Sequence, residues 1–447
     1  MEVDISKSAK LTREQKEAVG LLSIGTFLEY FDLMLYVHMA VLLNELFFPK
    51  TDPFTASLIS AFAFCSVFIF RPFGALIFGY IGDKIGRRHT VIITTLLMSC
   101  ACLTMSMLPT YAEIGIAASV SFFICRIAQG MSSMGEIIGA ELYLTEMIKK
   151  PLRYPVVSLI AVASSVGEMV ALGVASLVTL SFFNWRAAFV LGAVIALVGA
   201  IARIRLRETP EFVNAKKRLL SIKSQTTENL EELTLAARET VKKSTALAVF
   251  LVNCAWAPCL YYTYIYCAEV LKNSFNYSPH DIILQNFFVA LAQLITWSVL
   301  AYLSKTIYPL KIMKIRIAIF YPLVLFIPYL LHNASDGYHV FFIQLFIVIF
   351  GVGITPAAPI FFKNIPVFQR FTCYAFMYAL SRALIYVITS FGTVYLTKWY
   401  GYQGILFIIL PIGVGLVWAV NHFERMEIDS GSHPYKKNHE SAQPAVV

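Results

Sequence analysis

The chain reads as an all-α membrane protein: twelve transmembrane helices in two six-helix pseudo-repeats. Three observations lead there. Its 447 residues are 58% hydrophobic and only 14% charged, too little charge for a soluble chain of this length. The apolar residues gather into about twelve runs of roughly 20, each long enough to cross a bilayer. The runs lack the alternation of a barrel, which leaves helices that satisfy their own backbone as the spanning structure.

Taken in order, residues 1–17 form a polar, basic lead without the early apolar core of a cleavable signal peptide. A first six-helix bundle follows over 18–205, with spans at about 18–43, 54–81, 90–108, 113–146, 155–181 and 185–205. Residues 206–243 are polar, with leucines at loosely helical spacing. They are expected to form a linker carrying an amphipathic helix along the membrane surface. The second bundle covers 244–423, with spans at about 244–268, 281–303, 315–332, 338–361, 372–397 and 402–423, and a polar tail runs over 424–447. Gly351, Gly353, Pro356 and Pro359 are expected to bend or break the tenth span. The halves repeat faintly. Leu152-Arg153-Tyr154 before span five is answered by Gln369-Arg370-Phe371 before span eleven, an offset of about 217 residues, near half the chain.

The net charge of +9 does not point to nucleic acid. In this topology about 29 Lys/Arg fall on one side and about three on the other, which is the positive-inside asymmetry and places both termini in the cytoplasm. The eight cysteines are scattered through apolar runs without metal-ligand spacing and read as small core residues. No phosphate-binding loop, HExxH or nucleophile elbow is present, so neither an ATP-driven pump nor an intramembrane enzyme is expected, and no cofactor.

The turn Gly82-Asp83-Lys84-Ile85-Gly86-Arg87-Arg88 between spans two and three is too short to cross anything, so those spans are antiparallel neighbours. It resembles the GDxxGRR signature of the major facilitator superfamily. That resemblance implies the major facilitator fold, and a part in the conformational switch for Gly82, Asp83, Gly86, Arg87 and Arg88, with Arg71 opening the same stretch. Further motifs are Glu29-Tyr30-Phe31-Asp32 in span one, RIAQGMSSMGEIIGAELYLTEM in span four, NWRAAFVLG at 184–192 and RETPEF at 207–212. These are similar to metabolite–proton symporters, whose members move proline, betaine, dicarboxylates, citrate or shikimate-like acids with protons.

A charge at mid-membrane costs several kcal/mol, so each one asks for a reason. Glu29 and Asp32, three apart on one helix face, disfavour both being charged, which suits a proton carrier. Glu136 on span four is a third candidate for proton coupling. Arg126 is read either as a fork for a substrate carboxylate or as the partner that keeps Asp32 ionised. Arg382 in span eleven is the second-half candidate for an anion contact. Trp256, Tyr261 and Tyr262 in span seven offer aromatic faces to a quaternary ammonium group. Glu146, at the cytoplasmic end of span four, is expected to latch the Arg87/Arg88 turn.

The expected function is proton-coupled symport of a small polar metabolite, a proline/betaine-type osmolyte or a carboxylate, across a bacterial inner membrane by alternating access. The bilayer, the metabolite and protons are the partners, and a monomer is the expected working unit. The alternative is a proton-antiport exporter of a small molecule such as a siderophore or drug. A receptor that kept the fold without transport is a third class.

Overall fold

The structure is a computed structural model. It describes residues 10–49, 65–178, 184–204, 206–224 and 241–434. The first part of the second span and most of the linker lie outside these residues, as do the side chains of Glu136 and a few others inside helices.

Six helical spans precede the linker: α1 (Arg13–Phe47), α2 (Arg71–Lys84, with a helical turn from Cys65), α3 (Arg87–Met107), α4 (Ile116–Met147), α5 (Arg153–Val178) and α6 (Trp185–Arg203). The linker contributes α7 (Pro210–Ser224). Six more follow: α8 (Lys243–Phe275), α9 (Pro279–Leu303), α10 (Pro309–Val324, continued by Ile327–His332), α11 (Gly337–Phe350, continued by Ala358–Lys363), α12 (Val367–Tyr400) and α13 (Leu406–Asp429). Among the described residues, seven stretches are long and apolar enough to cross a membrane; the last, Val367–Asp429, is folded into α12 and α13.

Several boundaries differ from the sequence expectation for a physical reason. The first span, expected at 18–43, is the longer helix Arg13–Phe47, extended by exposed polar residues at its start and by Phe47, buried in the core, at its end. The tenth span breaks between Phe350 and Ala358, where two glycines and Pro356 interrupt the helical hydrogen bonds. The seventh contains a π-helical turn over Tyr261–Tyr266 that periodicity did not announce.

The halves meet over a shared core in which Met134, Ile137 and Leu142 of α4 pack with Trp256, Trp297, Phe361 and Phe371 of the second half. α2 lies directly on α12. A Cβ built on Gly79 would stand 2.8 Å from the Thr372 Cα, so only glycine permits that approach.

Candidate functional site

The Gly82–Arg88 turn is held from both sides. Gly86 has φ +145°, open to glycine and few others, and a Cβ there would strike the Glu208 carboxylate. That carboxylate accepts the backbone N–H groups of Arg87 (3.0 Å) and Arg88 (3.3 Å), capping the N-terminus of α3. Glu208 belongs to the RETPEF stretch, which places that motif beside the turn.

From the turn, two charges reach the second half. Asp83 accepts from the Phe371 N–H (3.2 Å), the Thr372 N–H (2.8 Å) and the Thr372 hydroxyl (2.6 Å) on α12. Arg87 donates to Asp83 (2.8 Å), to the Gly82 carbonyl, and across to the Val367 carbonyl (2.8 Å). The Asp83–Arg87 pair thus grips the first turns of α12.

Glu146 stands at the centre of this lock. It faces Arg87 at 3.3 Å and Arg370 at 3.1 Å and accepts from the Thr209 hydroxyl at 2.6 Å, with its side chain fully buried. Arg370 also meets Glu211 of α7 at 2.9 Å, and Glu211 meets Lys363 at 3.1 Å. Burial alone would raise the Glu211 carboxyl, but Arg370 and Lys363 outweigh it and hold the group below its ordinary range. The face bearing the turn is therefore closed by a continuous ionic network between the halves. Arg71 stands apart from it, roughly 18 Å up α2 from Asp83, paired with Glu29 at 3.0 Å.

Asp32 and Glu29 do not share a partner. The Asp32 carboxylate lies 3.4 Å from Arg126 and accepts from the Gln129 amide at 2.7 Å; Arg126 donates to Gln129 at 2.9 Å and lies over the Tyr36 ring. This buried cluster joins α1, α3 and α4 within the first half, with Cys102 at its edge.

Between the halves lies a narrow cavity of about 60 Å³, lined among others by Tyr30, Glu141, Trp256, Trp297, Tyr378 and Arg382. Trp256 and Arg382, two of the sequence candidates for solute contact, are among its lining residues. Arg126 is not among the lining residues; it lies 15 residues, about 22 Å, along α4 from Glu141. Tyr261 and Tyr262 do not line the cavity either. Both are buried, and Tyr262 shares a hydrogen bond with Thr393 at 3.0 Å.

Of the two charged groups that line the cavity, Arg382 is a sequence candidate and Glu141 is not. Glu141 is 4% exposed and its Oε2 has no hydrogen-bond partner. Arg382 is 7% exposed, its Nη1 has no partner, and its guanidinium lies over the Tyr378 ring at 5.1 Å. A buried polar atom left unmade costs about 1–3 kcal/mol, more for a charged group, and these two stand in one cavity. The indoles of Trp256 and Trp297, 5.1 Å apart, form an apolar wall beside them. The signal that would have found Glu141 is its place in the GEIIGAE run, five residues before Glu146 of the lock. Glu168 is a further buried acid, bridged across the halves by the Gln293 amide at 2.7 Å.

Comparison with known proteins agrees with this architecture. A proline/betaine transporter of Salmonella typhimurium is 34% identical over 205 residues, 44% of this chain and 41% of that protein. An inner membrane metabolite transport protein of Escherichia coli is 33% identical over 208 residues, 45% of this chain and 47% of that protein. The matched stretch thus spans under half the length of these curated relatives. Among solved structures, the proton:xylose symporter XylE, bound to 6-bromo-6-deoxy-D-glucose, superposes with TM-score 0.74 at 15% identity, covering 94% of this chain and 96% of that one. The Major Facilitator Superfamily model matches residues 22–389. A multi-pass helical chain with this turn, this lock and this match over most of its length belongs to the Major Facilitator Superfamily of membrane transporters.

Proposed function

We propose that this transporter carries a small zwitterion, of the proline or betaine type, together with a proton. The observation that carries the reading is the pair of unfilled opposite charges, Glu141 and Arg382, in the cavity between the halves. The solute's carboxylate meets the Arg382 fork. Its cationic nitrogen meets Glu141 and the faces of Trp256 and Tyr30. The names of the matched relatives, a proline/betaine transporter and a metabolite transport protein, fit the same class.

Coupling is assigned to the Asp32–Arg126–Gln129 cluster. A proton on Asp32 cancels its attraction for Arg126 and frees α1 from α4, so binding a proton changes how the first half packs. The working membrane is the bacterial inner membrane, with the basic face, the lock and both termini toward the cytoplasm. Closed on that face, the molecule takes up solute from the other side.

Uptake into proteoliposomes tests the reading. Labelled betaine and proline should accumulate when the outside is made acidic, and Arg382→Gln and Glu141→Gln should each abolish binding of the solute. Asp32→Asn should lose gradient-driven accumulation and keep solute exchange. Accumulation by Asp32→Asn at the wild-type level would remove Asp32 from coupling. Efflux driven by inward proton flow would select the exporter reading instead.

A further inference from the structure

A second cavity, about 450 Å³, opens on the locked face between the halves. Lys150, Arg153 and Tyr154 line it from the first half, at the start of α5. Lys363, Asn364 and Glu427 line it from the second. The bases outnumber the acids three to one.

Their partners leave positive charge uncovered. Lys150 lies 3.6 Å from Glu427, and Lys363 is held by Glu211 at 3.1 Å, which Arg370 already shares. Arg153 forms no close salt bridge among the described residues, though Glu211 and Glu427 attract it from further off. Its Nε donates to the Ile148 carbonyl at 2.6 Å, and the residue is only 6% exposed. Beside it the Tyr154 hydroxyl is buried without a partner. A guanidinium kept nine-tenths out of water without a close carboxylate is expensive, and an anion would offset that cost. Lys363 reports the same excess: burial and the neighbouring Arg153 hold its ammonium below the ordinary range despite Glu211.

We propose that this cavity is a binding site for a phosphate group, gripped by Arg153 from one half and by Lys363 and Lys150 from both sides of the seam. Arginine's planar fork and the point charge of lysine are the side chains that suit phosphate. The cavity exceeds one phosphate, so the group arrives with a substituent or with water. Because its ligands come from both halves, the anion binds the locked arrangement and stabilises it by mass action. The phosphate is either a phospholipid headgroup or a soluble ion, and the two are separable.

The full chain in a phosphate-free detergent is titrated with inorganic phosphate against sodium chloride of equal ionic strength, following thermal unfolding. The same protein in nanodiscs of phosphatidylcholine is compared with discs that also hold phosphatidylglycerol. Stabilisation by phosphate above chloride identifies a soluble ligand. Stabilisation only by phosphatidylglycerol identifies a headgroup. In either case Lys363→Gln and Lys150→Gln should each weaken the effect about tenfold, the worth of one charge-assisted hydrogen bond, and Arg153→Gln should remove it. The exposed Lys305→Gln on the same face should leave it intact. The lysine variants keep the test open if Arg153→Gln does not fold. No stabilisation in either arm, or equal stabilisation in wild type and both lysine variants, overturns the site.

Discussion

Glu146 ties three parts of the lock together in one side chain, since Arg87, Arg370 and Thr209 all converge on it. Glu146→Gln keeps the shape and removes the charge, leaving two buried arginines short of a partner. The expected cost to the closed arrangement is about 3–5 kcal/mol. In a variant whose only thiol is Cys373, half-buried on α12 beside Asp83, a water-soluble maleimide should label faster once Glu146 is changed. Unchanged labelling would show that the lock is not held through this residue. Glu211 sets a pH limit on the same lock. Its folded carboxyl titrates below the ordinary glutamate value of about 4.3, so its contribution is present above that value and lost as pH falls through the lower, folded one. Closure should therefore be flat from neutral pH down to about 5 and weaken below about 4, and Glu211→Gln should abolish that acid-sensitive component of the labelling rate. Residue identities in the turn were legible because GDKIGRR is local. Asp83 with Thr372, and Glu141 with Arg382, were not, because helix rotation decides such pairs across hundreds of residues, and in lipid an apolar face gives little sign of which way it turns.

Among elements, α2 and α12 pack most tightly where the lock forms. Gly79→Val would push a branched side chain into the Thr372 backbone. Overpacking of this kind costs about 1–3 kcal/mol. The fold should persist with helical content unchanged by circular dichroism, while the locked face fails to close and Cys373 labelling rises. If labelling stays at the wild-type rate, α2 and α12 are not the closing surface. Element existence was largely readable from apolar run length, and the break in α11 from Gly351, Gly353 and Pro356. The depth of α7's involvement was not. A polar linker with spaced leucines reads as a surface helix, yet Thr209 and Phe212 are buried and Glu211 pairs with the opposite half.

For the molecule as a whole, the two halves close one face with unequal means. The first half inserts Asp83 and Arg87 into its partner. The second half, whose corresponding turn SKTIYPLKIMK lacks the aspartate and both glycines, instead ties itself together: Lys314 meets Glu424 at 2.6 Å and Tyr308 donates to Glu427 at 3.1 Å. The faint sequence repeat was therefore a guide to topology and a poor guide to chemistry. Because Glu146 and Glu211 share Arg370, their charges should not act independently. Combining Glu146→Gln with Glu211→Gln should cost less than the sum of the single changes, by about 0.5–3 kcal/mol, in chemical unfolding of the detergent-solubilised protein. Strict additivity would mean the ion pairs work as separate clasps.

The π-helical turn at Tyr261–Tyr266 carries one residue more than a regular helix needs. Such a surplus can be passed along the rod one position at a time, and each step swings the side chains beyond it by about 100°. Deleting Thr263 would spend that slack. The rod would become stiffer and the protein no less heat-stable, but Trp256 and the segment beyond Tyr266 would be frozen at one relative azimuth, and turnover, rather than solute affinity, is what should disappear.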